Sequence, residues 1–225
     1  MIHARAVLFD LDDTLFDRSA ALRRTADAQA LGLGPLLRQT PPACFVERLL
    51  ALEALGYLKR MAIYRQLVHE FALDAGHRRL HPRRLTDDLL RRYPEHPVAA
   101  EGALPTLRAL RQRGLRLAVV TNGRAPLQHR KLAALGLLEL LDAVLVSEHE
   151  GVAKPDSALF HRALDRLGVP AFEALHVGHH PIDDVAASRA AGLKACWLRR
   201  PGQAAHEPEA DATVDRLPEL LQLLA

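Results

Sequence analysis

The sequence predicts an α/β protein, a doubly wound parallel sheet (a Rossmann-like arrangement) carrying an inserted α-helical domain. Three observations carry the prediction. Short apolar runs recur without polar alternation, helical patterns separate them, and one long stretch near the N-terminus is helical throughout.

The first run is RAVLFD, residues 5–10, which closes on an acid. Similar runs follow at LRLAVVTN (115–122), LDAVLVS (141–147), EALHVGH (173–179) and LKACWLR (193–199), with ADATVD (210–215) as a short sixth. Continuous apolar runs of this length are what strands buried on both faces require. Helical periodicity fills residues 103–113, 125–135, 156–167 and 182–191, and 216–224 closes the chain. Gly114, Gly136, Gly168 and Gly192 each follow one of these helices, as helix-terminating glycines do.

The alternation fails between residues 17 and 97. That segment has helical periodicity broken at LGLGP, TPP and RLHP, and it is far too long for a connection. It is expected to form a helical insert (17–97) within a core made of residues 1–16 and 98–225. PGQAAHEPEAD (201–211) reads as a polar loop.

The chain has 225 residues, 49% of them hydrophobic and 25% charged, as in globular proteins able to bury a sizeable core. Its net charge is only +3, and arginine pairs such as Arg23–Arg24, Arg83–Arg84 and Arg91–Arg92 read as solvated helix faces. No basic run is interleaved with aromatic residues, so nucleic acid is not an expected partner. No stretch approaches the ~20 apolar residues of a membrane span, and the N-terminal apolar run is too short for a secretory leader. Cys44 and Cys196 have no metal-like partners nearby, and Cys196 in LKACWL reads as a small core residue. The expectation is a cytoplasmic monomer or homodimer.

In an open parallel sheet, ligands bind beyond the carboxyl ends of the strands. Polar groups stand at four such ends: Asp10 with Asp12, Thr121 with Asn122, Ser147, and Gly178 with the turn His179-His180-Pro181. Lys154 follows the third strand in EGVAKPD, and Asp183 and Asp184 open the helix after the fourth. Singly, each has an ordinary structural reading. Two acids at a strand end can cap a turn, Asn122-Gly123 is a good turn, and Lys-Pro-Asp starts a helix with Asp156 as its cap. The predicted fold would bring these strand ends together around one crevice.

Taken in order, VLFDLDDTLFD (7–17), VVTNG (119–123), GVAKPD (151–156) and VGHHPIDD (177–184) resemble the four motifs of the haloacid dehalogenase-like hydrolases. The similarity covers essentially the whole chain, and the insert falls where that family carries its first-type helical cap. The resemblance implies phosphoryl transfer, which needs a nucleophile, neutralised phosphate charge and an acid for the leaving oxygen. Asp10 is then the nucleophile that forms an aspartyl-phosphate, and Asp12 the general acid and later general base. Thr121 and the amides of Asn122 and Gly123 hold phosphate oxygens, and Lys154 neutralises Asp10 and phosphate. Asp12 also favours a phosphatase over a dehalogenase, because a departing halide needs no proton and an alkoxide does. The substrate implied is a small phosphorylated metabolite such as FMN, a nucleotide or a sugar phosphate. The cap is expected to close over the crevice, with Lys59, Arg60 and Arg65 either meeting the substrate or forming a solvated face.

One position departs from the family pattern. Its usual Gly-Asp in the fourth motif is Gly178-His179 here, and that Asp commonly holds Mg²⁺ together with the nucleophile carboxylate and the main-chain carbonyl of the second acid, here Asp12. Mg²⁺ prefers oxygen ligands, whereas imidazole suits softer divalent ions. Three outcomes stand open: Asp184 or Asp183 completes a Mg²⁺ site beside Asp10 and Asp12; His179 recruits Mn²⁺ or a softer ion; or metal binding and activity are weakened, leaving a protein that binds a phosphorylated ligand or partner.

Overall fold

The computed structural model describes residues 2–34, 36–37, 40–54, 59–73, 80–200 and 208–224. In chain order, β1 (Ala6–Phe9) precedes α1 (Arg18–Leu33), α2 (Pro42–Ala54), α3 (Arg60–Glu70) and α4 (Pro82–Arg92). There follow α5 (Ala103–Gln112), β2 (Arg116–Thr121), α6 (Ala125–Ala134), β3 (Ala143–Val146), α7 (Ser147–Glu150), α8 (Ala158–Leu167) and β4 (Ala174–Gly178). A π-helical turn (Pro181–Ala186), α9 (Ala187–Ala190), β5 (Lys194–Leu198), β6 (Ala212–Val214) and α10 (Leu220–Leu223) complete the chain. The chain divides into two compact units, residues 1–17 with 98–225, and residues 18–97. The expected polar loop at 201–211 lies outside the described residues over 201–207.

The first unit is a six-stranded sheet in the order β3-β2-β1-β4-β5-β6, with every neighbouring pair parallel. This is the doubly wound topology expected. β1 is central and wholly buried, so its Ala-Val-Leu-Phe is apolar on both faces, without alternation. The chain moves outward through β2 and β3, returns to pair β4 with β1, and moves outward again through β5 and β6. The order therefore reverses beside β1, which is where a crevice opens at the carboxyl ends. Leu8, Val120, Leu145, Leu159, Phe160, Ala163 and Leu167 pack one face, with α8 lying against β2 and β3.

The helix expected at 182–191 differs in its first half. Pro181 offers no N–H, and Val185 N reaches back to the carbonyl of His180 (3.2 Å), which widens the turn into a π-helix. Regular α-helix resumes only at Ala187.

The second unit packs α1 against α2 and α4, and α3 against α2 and α4. Its interior holds a polar network as well as leucines. Buried Tyr64 donates to Gln29 Oε1, and Gln29 Nε2 donates to the Leu85 carbonyl (2.8 Å) and to Asp88 (3.2 Å). Asp88 is held in turn by Arg91 and Arg92. Of the basic residues singled out in this unit, Arg60 pairs with Glu53 (3.0 Å), while Lys59 and Arg65 are exposed. Among the described residues no helix is long and apolar enough to cross a membrane.

Candidate active site

Asp10 follows β1 directly and is 5% exposed, its amide continuing the ladder to the Val177 carbonyl of β4 (3.0 Å). The chain then turns sharply: the amides of Thr14, Leu15 and Phe16 all reach the Leu11 carbonyl, and Asp13 takes a left-handed conformation (φ 57°). The turn points the Thr14 hydroxyl back to donate to Asp10 Oδ2 (3.1 Å).

Three distant stretches meet at this carboxylate. Lys154 donates from Nζ to Asp10 Oδ1 (2.8 Å) and to Asp184 Oδ1 (2.6 Å). His179 Nδ1 lies 3.4 Å from Asp10 Oδ2 and 3.7 Å from Asp184 Oδ2. Asp184, 1% exposed, accepts four times: from Lys154 and His176 Nε2 (3.3 Å) on Oδ1, and from the amides of His179 (3.0 Å) and His180 (2.8 Å) on Oδ2. The π-turn brings its carboxylate under those two amides. Gly178 is required for the same reason, because a Cβ there would overlap the Asp184 side chain. His176 leans edge-on against Phe160, and its buried Nδ1 has no hydrogen-bond partner among the described residues.

Burial by itself would push the Asp10 and Asp184 carboxyls up. The Lys154 ammonium overrides it for both, helped at Asp10 by His179 and at Asp184 by His176, and holds both below the usual carboxylate range. Lys154 is moved the other way. Burial disfavours its charge, but Asp10 and Asp184 together raise its pKa above that of a free lysine. His179 loses solvation as well, yet Asp10, Asp184 and Asp13 raise it above 6.5.

Asp12 is not part of this cluster. Its side chain is 29% exposed and turns toward α6, where Lys131 Nζ donates to Oδ1 (2.6 Å) and Gln128 Nε2 to Oδ2 (2.9 Å). Thr121, at the end of β2, accepts from Gln128 Nε2 (2.8 Å) and donates to the Asn122 carbonyl (3.3 Å). The Asn122 side chain ties two loops together, donating to the Lys154 carbonyl and accepting from the Lys154 amide, both at 2.9 Å. The Gly123 amide donates to Ser147 Oγ (2.9 Å). Asp183 stays outside, with its carboxylate 3.9 Å from His180 Nδ1 and 35% exposed.

The structure therefore gathers Asp10, Lys154, His179 and Asp184, places Asp12 and Thr121 on a second group joined by Gln128, and leaves Asp183 apart. Thr14, Gln128, Lys131 and His176 were not singled out in the sequence reading. For α6 a signal existed. Gln128, Lys131, Leu132 and Leu135 are one inward-facing helical stripe, all 9% exposed or less, so two polar residues sit where a core helix normally puts apolar ones.

Asp10, His179 and Asp184 can each offer one ligand atom, all within 4.8 Å of one another. The chemistry of these donors discriminates among cations. Asp184 already accepts four hydrogen bonds, about as many as a carboxylate has lone-pair sites, so a cation would have to displace some of them to use it. A mixed nitrogen–oxygen set fits a borderline divalent cation better than an all-oxygen ion such as Mg²⁺.

Comparison with known proteins agrees with this architecture. Residues 4–192 match the haloacid dehalogenase-like hydrolase family. The glyceraldehyde 3-phosphate phosphatase of Methanopyrus kandleri is 32% identical over 98% of this chain and 97% of its own length. A phosphoserine phosphatase from Thermus thermophilus is 43% identical over 53% of this chain, a match that spans 46% of that protein. Among solved structures, the putative HAD-hydrolase YfnB from Bacillus subtilis, bound to magnesium, aligns over 98% of both chains with a TM-score of 0.67 and 26% identity.

Proposed function

This chain belongs to the haloacid dehalogenase-like hydrolases, and from that premise we propose that it hydrolyses phosphomonoesters of small metabolites through an aspartyl-phosphate on Asp10. The observation that carries the reading is the meeting of Asp10, Lys154 and Asp184, brought from three distant motifs to the mouth of the sheet with Nζ 2.8 Å and 2.6 Å from the two carboxylates.

A carboxylate held ionised by Lys154 is a competent nucleophile toward phosphorus. An Asp10 oxygen forms the new P–O bond as the ester P–O bond breaks, and Asp12 gives its proton to the departing alkoxide. Asp12 then removes a proton from water, which attacks the same phosphorus, and the bond to Asp10 breaks to release phosphate. Thr121 and the Asn122 amide contact phosphate oxygens, the Gly123 amide being held by Ser147 Oγ, while the Lys154 ammonium offsets their charge. A divalent cation would be held by Asp10 and His179, with Asp184 beside them. When bound it supplies further neutralisation of phosphoryl charge.

The names of two relatives, phosphatases of phosphoserine and of glyceraldehyde 3-phosphate, support a small phosphate ester as substrate. Sugar phosphates, nucleotides and FMN form the panel to screen. His179, standing where the family pattern has an acid, favours a second reading, a protein that binds phosphorylated ligands without turning them over. The joint presence of Asp10, Asp12, Thr121, Lys154 and Asp184 weighs against it.

The test is hydrolysis of that panel by wild type and Asp10→Asn, with Mg²⁺, Mn²⁺ or Co²⁺ present or after chelation. The proposal expects turnover that disappears in the variant and a phosphoryl group trapped on the wild-type chain. Turnover that survives Asp10→Asn, or calorimetric binding without any hydrolysis, overturns it.

A further inference from the structure

We propose that Lys131 and Gln128, one helical turn apart on α6, are positioning residues for Asp12, an inference that rests on the phosphatase reading above. Both oxygens of Asp12 are engaged by this pair, Oδ1 by Lys131 at 2.6 Å and Oδ2 by Gln128 at 2.9 Å. Each oxygen keeps a second lone-pair direction, so a carboxylate held this way can still exchange a proton. Its rotation is what the pair removes.

Two features set this apart from an ordinary ion pair. Lys131 is 4% exposed, lies on the inward stripe of α6, and places its ammonium 4.8 Å from the centre of the Phe16 ring. Burying a lysine is costly, and buried ion pairs can usually be replaced by apolar residues of similar volume without loss of stability. Folding alone therefore gives little reason for a lysine at this position. Gln128 shows the same pattern. Its Nε2 serves Asp12, Thr121 and the Asn122 carbonyl together, while its buried Oε1 has no hydrogen-bond partner among the described residues. An amide that leaves its own acceptor unsatisfied, at a cost to stability, is placed for what its donor side holds.

The donor side joins the acid to the loop proposed to hold phosphate. One amide group spans Asp12 Oδ2 and Thr121 Oγ1, so the distance between the proton donor and the phosphate-binding hydroxyl is set by a single side chain. Lys131 closes the remaining freedom from the other oxygen. The pair thus fixes where the proton is delivered relative to phosphorus, and misplacement by about 1 Å is enough to cost ~100-fold in rate.

Leaving-group dependence separates this role from a structural one. p-Nitrophenyl phosphate releases an oxygen that departs readily without a proton, whereas glycerol phosphate does not. Lys131→Met, Lys131→Arg and Gln128→Leu would be compared with wild type and Asp10→Asn on both esters, with unfolding midpoints measured in parallel. The expectation is a fall in kcat of about 10- to 100-fold on glycerol phosphate for Lys131→Met and Gln128→Leu, with KM within about threefold. The fall on p-nitrophenyl phosphate should be several-fold smaller, and Lys131→Arg should recover most of the loss. Equal losses on both esters, or kcat unchanged in folded variants, overturn the assignment. A Lys131→Met chain that does not fold leaves Gln128→Leu and Lys131→Arg to decide by the same criterion. Activity that persists in Asp10→Asn sinks the phosphatase reading itself, whereas activity that needs Asp10 but ignores both α6 residues sinks only this inference.

Discussion

Replacing Lys154 by methionine removes an ammonium that contacts both Asp10 and Asp184 while roughly preserving side-chain volume. The carboxylates are 7% and 1% exposed, so neither recovers solvation when its partner is lost. Breaking a buried pair from one side costs about 3–5 kcal/mol. With roughly 2–4 °C per kcal/mol for chains of this size, the unfolding midpoint at pH 7.5 should fall by about 6–20 °C. The sign of the pH dependence is the sharper readout. In wild type both carboxyls are held below their ordinary value of 3.8, so they add stability above that pH and lose it as pH falls through their lowered values. Without Lys154, burial dominates and raises both. A raised carboxyl adds stability that is complete below 3.8 and disappears as pH rises through the raised value. Between about pH 7.5 and pH 5 the variant should therefore recover more stability on acidification than wild type, where the raised His179 alone contributes a gain over that range. Thermal unfolding monitored by circular dichroism across that range decides it. A destabilisation that is the same at pH 5 and pH 7.5 would refute the reasoning, because the loss would then be one of packing.

Three other outcomes follow from the geometry. Because imidazole must shed its proton to bind a metal and the His179 value is raised above 6.5, divalent-cation affinity measured by calorimetry should climb as pH rises through and above that range. His179→Asp should flatten the climb and shift preference from Mn²⁺ or Co²⁺ toward Mg²⁺. Tyr64→Phe leaves Gln29 Oε1 without its buried donor and should cost about 1–3 kcal/mol in denaturant unfolding. Wild-type Tyr64 is held neutral well above 10, so this contribution is complete below pH 10 and is lost as pH rises further. Finally, burial pushes the Cys196 thiol up to about 12, so a thiol reagent at pH 8 should modify exposed Cys44 and reach Cys196 only on unfolding.

The sheet was legible because burial on both faces leaves a plain mark in sequence, as AVLF in β1 and ALHVG in β4 illustrate. Polar residues at the ends of such runs marked Asp10 and Thr121 in the same way. The π-turn was not legible, because nothing in HHPIDD distinguishes a widened first turn from an ordinary one until the Asp184 carboxylate is seen beneath two amides. The Lys131–Asp12 pair joins residues 119 positions apart, and only tertiary packing gives a lysine on α6 that partner. Gly123 shows the opposite limit. Local pattern identified its loop, but the Ser147 hydroxyl that takes its amide belongs to another strand end.

The backbone at residue 179 is secured from both sides without any help from its side chain. Its amide donates to Asp184 and its carbonyl accepts from the Trp197 indole (2.9 Å), so the imidazole is carried by a main chain that others hold in place. Such a position can exchange side chains without a change of fold. The departure at His179 is thus a change of reagent on a mount that Asp184 and Trp197 hold, and chemistry at this sheet end can diverge by single substitutions that leave those two contacts in place.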